Sequence, residues 1–526
     1  MLFNSHAFIF LFLPIAFALV FLFARVSTLL AAGWLAAASL FFYGWWNPAY
    51  VALLLASIVG NYFAGFAIAR TPDSAGKKRW LIAAIGINLA LLAYYKYSNF
   101  FLANVASALG SATPQADIIL PLGISFFTFT QIAFLVDTYQ GKVKEYNFVH
   151  YCLFVTWFPH LIAGPILHHA EMMPQFARAE TYRVQSGNVA AGLTIFFIGL
   201  FKKVILADGI AVYVSPLFSL PAAGIAPTFL EAWGGALAYT FQLYFDFSGY
   251  SDMAVGLSLM FGVRLPINFH SPYKALNIID FWRRWHITLS RFLRDYLYVP
   301  LGGNRKGPGR RYINLLLTML LGGLWHGAGW TFVLWGVLHG FYLCVNHGWR
   351  ALRVRLGHDL TRSTRWGNAL ACVITFAAVV VGWVVFRADS VATATAMLKG
   401  MAGLNGFTLP DHWLPKWGAF GQWLSANGVA FTDARGLVPA GLINWIVILL
   451  AVVWAAPNTQ QIMARGFPLM ALLLPRDMQA ARWLAWRPTV AFALIAACIA
   501  LASIVNLHRQ SEFLYFQFCC GAISLC

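Results

Sequence analysis

The sequence predicts an all-α polytopic membrane protein, and three observations carry that prediction. Of its 526 residues, 60% are hydrophobic and only 10% charged, with a mean hydropathy of +0.68, whereas a soluble globular chain carries about 25% charged residues. Apolar runs long enough to cross a hydrocarbon core of ~30 Å recur along most of the chain. The basic residues sit in short loops between those runs and form no basic soluble domain, so the net charge of +18 reads as a topology signal and not as a nucleic-acid interface.

The N-terminus, "MLFNSHAFIFLFLPIAFALVFLFAR", has neither a basic n-region nor a small-residue cleavage site and reads as a first span. Further spans are expected near 29–46, 49–69, 80–95, 118–137, 148–167, 188–207, 229–246, 367–386, 441–457 and 488–507, about eleven with the first at 8–24. The stretches 250–263 and 312–346 are apolar but interrupted by glycine and polar residues. Basic clusters at 70–79, at Lys142 and Lys144, and at 283–311, 350–365 and 465–487 all fit a cytoplasmic side. Both chain termini and the loop 388–440 then face outward, while Lys202 and Lys203 leave the side of 202–228 open. Because the loops flanking 312–346 are both cytoplasmic, that stretch crosses an even number of times or re-enters. The cysteines (Cys152, Cys344, Cys372, Cys498, Cys519, Cys520 and Cys526) have no metal-ligand spacing and read mostly as small hydrophobic residues.

The chemistry-bearing residues follow from what is out of place. "LTMLLGGLWHGAGWTFVLWG" puts His326 in an apolar run beside Gly322, Gly323, Gly327 and Gly329. Non-helical backbone at membrane depth is tolerated only against protein or a cavity, so the glycines read as breaks where helix ends meet a cavity. An intramembrane ionisable group marks a functional site by default, and the functional reading is preferred for His326. His339 and His347 read as neutral core histidines. Upstream, Trp282, Trp285, Leu289, Phe292 and Tyr296 form one stripe and Arg284, Arg291 and Arg294 another face, with His286 at the boundary, as in an amphipathic helix at the cytoplasmic interface. The arginines and the "GGNRKGPGRR" loop suit lipid phosphate and an entering anionic, phosphate-bearing substrate equally well. Asp246, Ser248, Tyr250, Ser251 and Asp252 form a third polar cluster; its carboxylates suit orienting a histidine or binding a cation, but the preferred reading is a helix cap near Ser251.

Together, "YFDFSGYSDMAVG", "FWRRWHITLSRFLRDYLY", "PLGGNR" and "LLGGLWHGAGWTFVLWG" closely resemble the membrane-bound O-acyltransferase family. Within it they resemble the bacterial branch typified by the alginate O-acetyltransferase membrane subunit; "PLGISFFTFTQIAFLVDTY", "FPHLIAGPI", "GLFKKVILAD" and "GWVVFRAD" fit that branch too. The resemblance covers residues 1–518, read as a single integral membrane domain with its active-site region at about 229–346. It implies a ring of tilted helices, with discontinuous or re-entrant members, around a central tunnel. The family's invariant histidine falls on His326 and its second conserved histidine on His286. The implied reaction takes an acetyl group from a cytoplasmic thioester, acetyl-CoA, with no bound cofactor and no metal. A neutral imidazole can take the proton of an attacking hydroxyl, which makes His326 the base and His286 a second polar group near the cytoplasmic mouth. The implied destination is an exported polysaccharide such as alginate, reached through periplasmic acetyltransferase partners of the SGNH type from the bacterial inner membrane; cellulose and peptidoglycan acetylation use similar subunits.

The outward tail, 508–526, contains "FLYFQF", similar to the family's C-terminal F-x-Y-F-x-F motif. There the tyrosine, here Tyr515, is proposed to carry the acyl group; an aromatic interfacial anchor is the plain alternative. The motif is followed here by "CCGAISLC", which departs from the family pattern. From other classes, a solute transporter or flippase also suits broken helices with mid-depth polar groups, but the sequence shows no repeated halves and no paired intramembrane carboxylates for ion coupling. A noncatalytic scaffold, which would tolerate His326→Ala, is a second rival, and the acyltransferase reading is preferred to both.

Overall fold

The computed structural model describes residues 1–112, 116, 118–360, 362–432, 438–464, 484–508, 513 and 514. Among them the regular secondary structure is helical apart from a short parallel strand pair, Phe407–Leu409 with Val429–Phe431, inside the predicted outer loop. Among the described residues, six helices are long and apolar enough to cross a membrane: Ala7–Ala24, Ala49–Arg70, Ser74–Leu109, Ser186–Ala211, Arg365–Arg387 and Val490–His508. Thr28–Gly44 and Ala440–Ala455 are shorter apolar helices. Large apolar side chains on the outer faces, such as Ile87, Phe101, Leu494 and Leu501, are exposed, the inverse of a water-soluble surface and the pattern expected against lipid.

The helix Phe229–Met260 runs through the middle of the fold and is buried along nearly all of its 32 residues. A capping box starts it: Glu231 Oε2 accepts from the Thr228 backbone N–H at 2.8 Å. This helix corrects two expectations. The expected separate stretches 229–246 and 250–263, with a cap near Ser251, are one helix that passes unbroken through the whole polar cluster. Gly249 is a crossing point with the helix Ser186–Phe201. A Cβ on Gly249 would lie 2.7 Å from the Gly199 carbonyl oxygen, and one on Gly199 would lie 2.6 Å from that of Gly249. One repeat along, Gly256 and Gly192 make the same reciprocal contact at 2.5 and 2.6 Å. Small residues let membrane helices touch backbone to backbone, and here they bring Lys202 and Lys203 against Asp246 and Asp252.

Gly307–His326 and Trp330–Arg355 form an antiparallel hairpin turning at residues 327–329. Gly322 and Gly323 lie within the first helix, so only Gly327 and Gly329 act as the predicted break. Gly323 serves close approach, since a Cβ there would sit 2.3 Å from the Phe332 carbonyl oxygen.

Two predicted elements are shorter than expected. The span at 148–167 is helical only over Phe148–Thr156, because Pro159 and Pro165 interrupt the following segment. Its non-helical backbone is buried and satisfied from neighbours: Ser39 Oγ accepts from Phe158 N–H at 3.2 Å and Thr288 Oγ1 from Ile166 N–H at 2.9 Å. The amphipathic helix across 282–296 is broken into Ile278–Trp282, Ile287–Leu293 and a π turn, Arg294–Tyr298. His286 sits between the first two in a left-handed conformation, φ 43°. Trp282, Trp285, Leu289 and Phe292 are buried in the protein core, so the stripe packs inward instead of facing the headgroup zone.

Candidate functional site

His326 is the last residue of its helix. The chain turns there because Phe332 occupies the space a side chain on residue 327 would need: a Cβ on Gly327 would meet the Phe332 ring at 2.2 Å. The imidazole packs edge-on against the rings of Trp335 and Phe386, with centroids 5.2 and 5.3 Å away. It lines a cavity with Asp246, Trp285, Trp383, Phe513 and Leu514. The walls are mostly aromatic, the setting in which a few polar groups act at full strength.

Two side chains that the sequence reading passed over hold the end of this helix. Lys96 Nζ donates to the Trp325 carbonyl and, at 3.1 Å, to Ser125 Oγ. Its neighbour Tyr97 donates its hydroxyl to the Leu324 carbonyl at 2.7 Å. The last carbonyls of a helix have no intrahelical donor, and a cation there also meets the negative end of the helix dipole. Lys96 is only 9% exposed within the helix Ser74–Leu109; the detectable signal was a lone lysine in a long apolar run.

His286 is brought next to His326, with ring centroids 6.4 Å apart. Asn268 orients it. Asn268 Oδ1 accepts from the Thr288 backbone N–H at 3.3 Å and from Thr288 Oγ1 at 3.0 Å, and lies 3.1 Å from His286 Nδ1. An oxygen taking those donors is an acceptor, so His286 carries its proton on Nδ1 and presents Nε2 with a free lone pair. Asn268 was also passed over; only the fold sets it beside residues 18 and 20 positions later.

The polar cluster divides in two. Asp246 faces the cavity side and pairs with Lys203 at 2.8 Å. Asp252 is bound by Lys202 at 2.6 Å, Thr459 at 2.6 Å and Gln460 at 3.0 Å, tying Thr459–Met463 to the central helix. Ser248 is buried in the central helix, and Tyr250 meets the Phe513 ring at 4.4 Å. The arginines proposed for the donor are engaged with carboxylates of the chain: Arg284 with Asp280 at 2.9 Å, Arg291 with Glu171 through two bonds at 2.7 and 2.8 Å, and Arg294 with Asp295 at 2.7 Å. His339 is fully buried among Trp282, Trp335 and Trp383, and neither ring nitrogen has a hydrogen-bond partner among the described residues. Tyr515, Cys519 and Cys520 lie outside the described residues.

Residues 115–385 match the model of the family described as MBOAT, membrane-bound O-acyltransferase family. The chain is 41% identical to the peptidoglycan O-acetyltransferase of Helicobacter pylori, covering 98% of each chain. It is 38% identical to the probable alginate O-acetylase AlgI of Pseudomonas aeruginosa, over 98% of this chain and 100% of that one. With the probable alginate O-acetylase AlgI of Azotobacter vinelandii it shares 44% identity over 78% of this chain and 80% of the relative.

Proposed function

The chain belongs to the membrane-bound O-acyltransferase family, and on that premise we propose that it moves an acetyl group from a cytoplasmic thioester, acetyl-CoA, to a hydroxyl on the outer side of the bacterial inner membrane. The first acceptor in this reading is Tyr515. Its hydroxyl oxygen attacks the thioester carbonyl while His326 takes the hydroxyl proton. The tetrahedral adduct collapses, the carbon–sulfur bond breaks, and the proton passes from the imidazolium to the leaving sulfur. The products are O-acetyl-Tyr515 and free CoA. A serine of a periplasmic SGNH-type partner then takes the acetyl group and delivers it to an exported polysaccharide. His286, with Nε2 unprotonated, assists at the donor side of His326, at the tunnel's cytoplasmic mouth.

The observation that carries this reading is the shared cavity: His326 lines it together with Leu514, the residue before Tyr515. The final polymer stays open between alginate and a peptidoglycan or cellulose acceptor, since relatives of both alginate and peptidoglycan type match over most of the chain.

The test is incubation of purified wild-type, His326→Ala and Tyr515→Phe proteins with labelled acetyl-CoA, following free CoA and the acetylated peptide by mass spectrometry. Label on Tyr515 that disappears in both variants supports the relay. Full turnover in Tyr515→Phe with none in His326→Ala keeps the base and removes the relay. No thioester consumption by wild type, with its periplasmic partner added, refutes the enzyme reading.

A further inference from the structure

We propose that Asp246 is the docking residue for the C-terminal segment, gripping its main chain in the wall of the cavity that holds His326. The Asp246 side chain is buried, and its two oxygens have different partners: Oδ1 pairs with Lys203 Nζ at 2.8 Å, and Oδ2 accepts the Leu514 backbone N–H at 3.2 Å. Lys203, also buried, is held on its other side by Asp208 Oδ1 at 2.8 Å. Its ammonium lies 5.1 Å from the centre of the Phe513 ring, within cation–π range. The edge-to-face contact of Phe513 with Tyr250 completes the seat.

Helix contact alone does not explain this arrangement. The reciprocal glycines already bring the two helices into backbone contact, and apolar packing replaces a buried ion pair at little or no loss of stability. What apolar packing cannot do is select one N–H. A carboxylate oxygen aimed at a main-chain donor sets the register of the segment to a single residue, and the second oxygen, bound by Lys203, keeps the carboxylate from turning away. The anchored N–H belongs to the residue immediately before Tyr515, whose Cα lies ~3.8 Å along the chain. Resting on the relay reading above, docking tethers the chain at the residue next to Tyr515, which is the entropic advantage of a held reactant.

The experiment uses the full-length protein and reads docking separately from chemistry. Docking is read as the rate at which a maleimide alkylates Cys519 and Cys520, followed peptide by peptide by mass spectrometry. Chemistry is read as single-turnover label transfer to Tyr515 from labelled acetyl-CoA. Leu514→Pro removes the N–H without touching Asp246 or Lys203, and Leu514→Ala keeps it. Asp246→Asn weakens the acceptor; should that variant fold poorly, Leu514→Pro still decides, since it lies near the chain end. Leu514→Pro is expected to raise alkylation and slow transfer roughly tenfold or more beyond the effect of Leu514→Ala, which carries the loss of the side chain alone, and Asp246→Asn to do the same relative to wild type, the scale of a hydrogen bond to a charged acceptor. Alkylation in Leu514→Pro equal to that in Leu514→Ala overturns the proposal. Faster alkylation with product formation intact, and intact also in Tyr515→Phe, leaves docking standing and removes only the relay.

Discussion

Replacing Lys96 with methionine separates stability from catalysis. Lys96→Met keeps a long flexible side chain but removes the ammonium that serves the Trp325 carbonyl and Ser125. Taking a donor from a buried carbonyl costs about 1–3 kcal/mol. Removing a buried cation gives back a desolvation penalty of several kcal/mol. The two nearly cancel, so the melting temperature in detergent should be unchanged or slightly raised. In the proposed mechanism activity behaves otherwise, because Trp325 is the residue before His326, the proposed base, and the helix ends there. Loosening that last turn by ~1 Å costs about 10²-fold in a positioned reaction, or ~2.7 kcal/mol of barrier. The assay is kcat for CoA release by wild type, Lys96→Met, His326→Ala and the double variant. Lys96→Met should lose about 10²-fold, and the double variant should be no slower than His326→Ala, since a misplaced imidazole and an absent one fail alike. Unchanged kcat in Lys96→Met, or losses that multiply in the double variant, would refute the reasoning.

Gly199→Ala places a methyl group 2.6 Å from the Gly249 carbonyl oxygen and 2.7 Å from Met253 N; overpacking of this kind costs about 1–3 kcal/mol and should lower the melting temperature. Gly187→Ala, where a Cβ meets nothing within 4 Å, is the control and should melt like wild type. If His286 assists as proposed, Asn268→Leu should reduce kcat roughly 10- to 100-fold by freeing its tautomer, by analogy with the loss of the hydrogen-bonded partner that orients a metal-ligating histidine. Asn268→Asp, which keeps an acceptor, should recover part of that loss in kcat at a temperature where both variants are folded; equal rates in the two would show that Asn268 only stabilises the fold.

The membrane class was legible because hydropathy is a sum over neighbouring residues, and a span needs only a long apolar run. His326 was legible for a related reason: an imidazole in such a run, followed by glycines, is conspicuous without any knowledge of its partners. The readings that failed used local pattern where contact decided. The stripe from Trp282 to Tyr296 has helical spacing, but the left-handed His286 breaks it, and the surrounding helices bury the stripe that periodicity assigned to a membrane surface. Gly249 and the nearby Ser251 and Asp252 carry the local marks of a helix boundary, yet Gly199 shows that the glycine is a crossing point.

By itself, the sequence determined that the chain is helical and membrane-embedded, and it singled out the two histidines through their motifs. Only the tertiary structure decided which groups hold them. Lys96 meets the Trp325 carbonyl across 229 residues, and Asp246 meets Leu514 across 268. Hydrophobicity belongs to each residue and adds along the chain, whereas a hydrogen bond needs a second atom at a fixed distance and direction, and for these pairs folding alone supplies it.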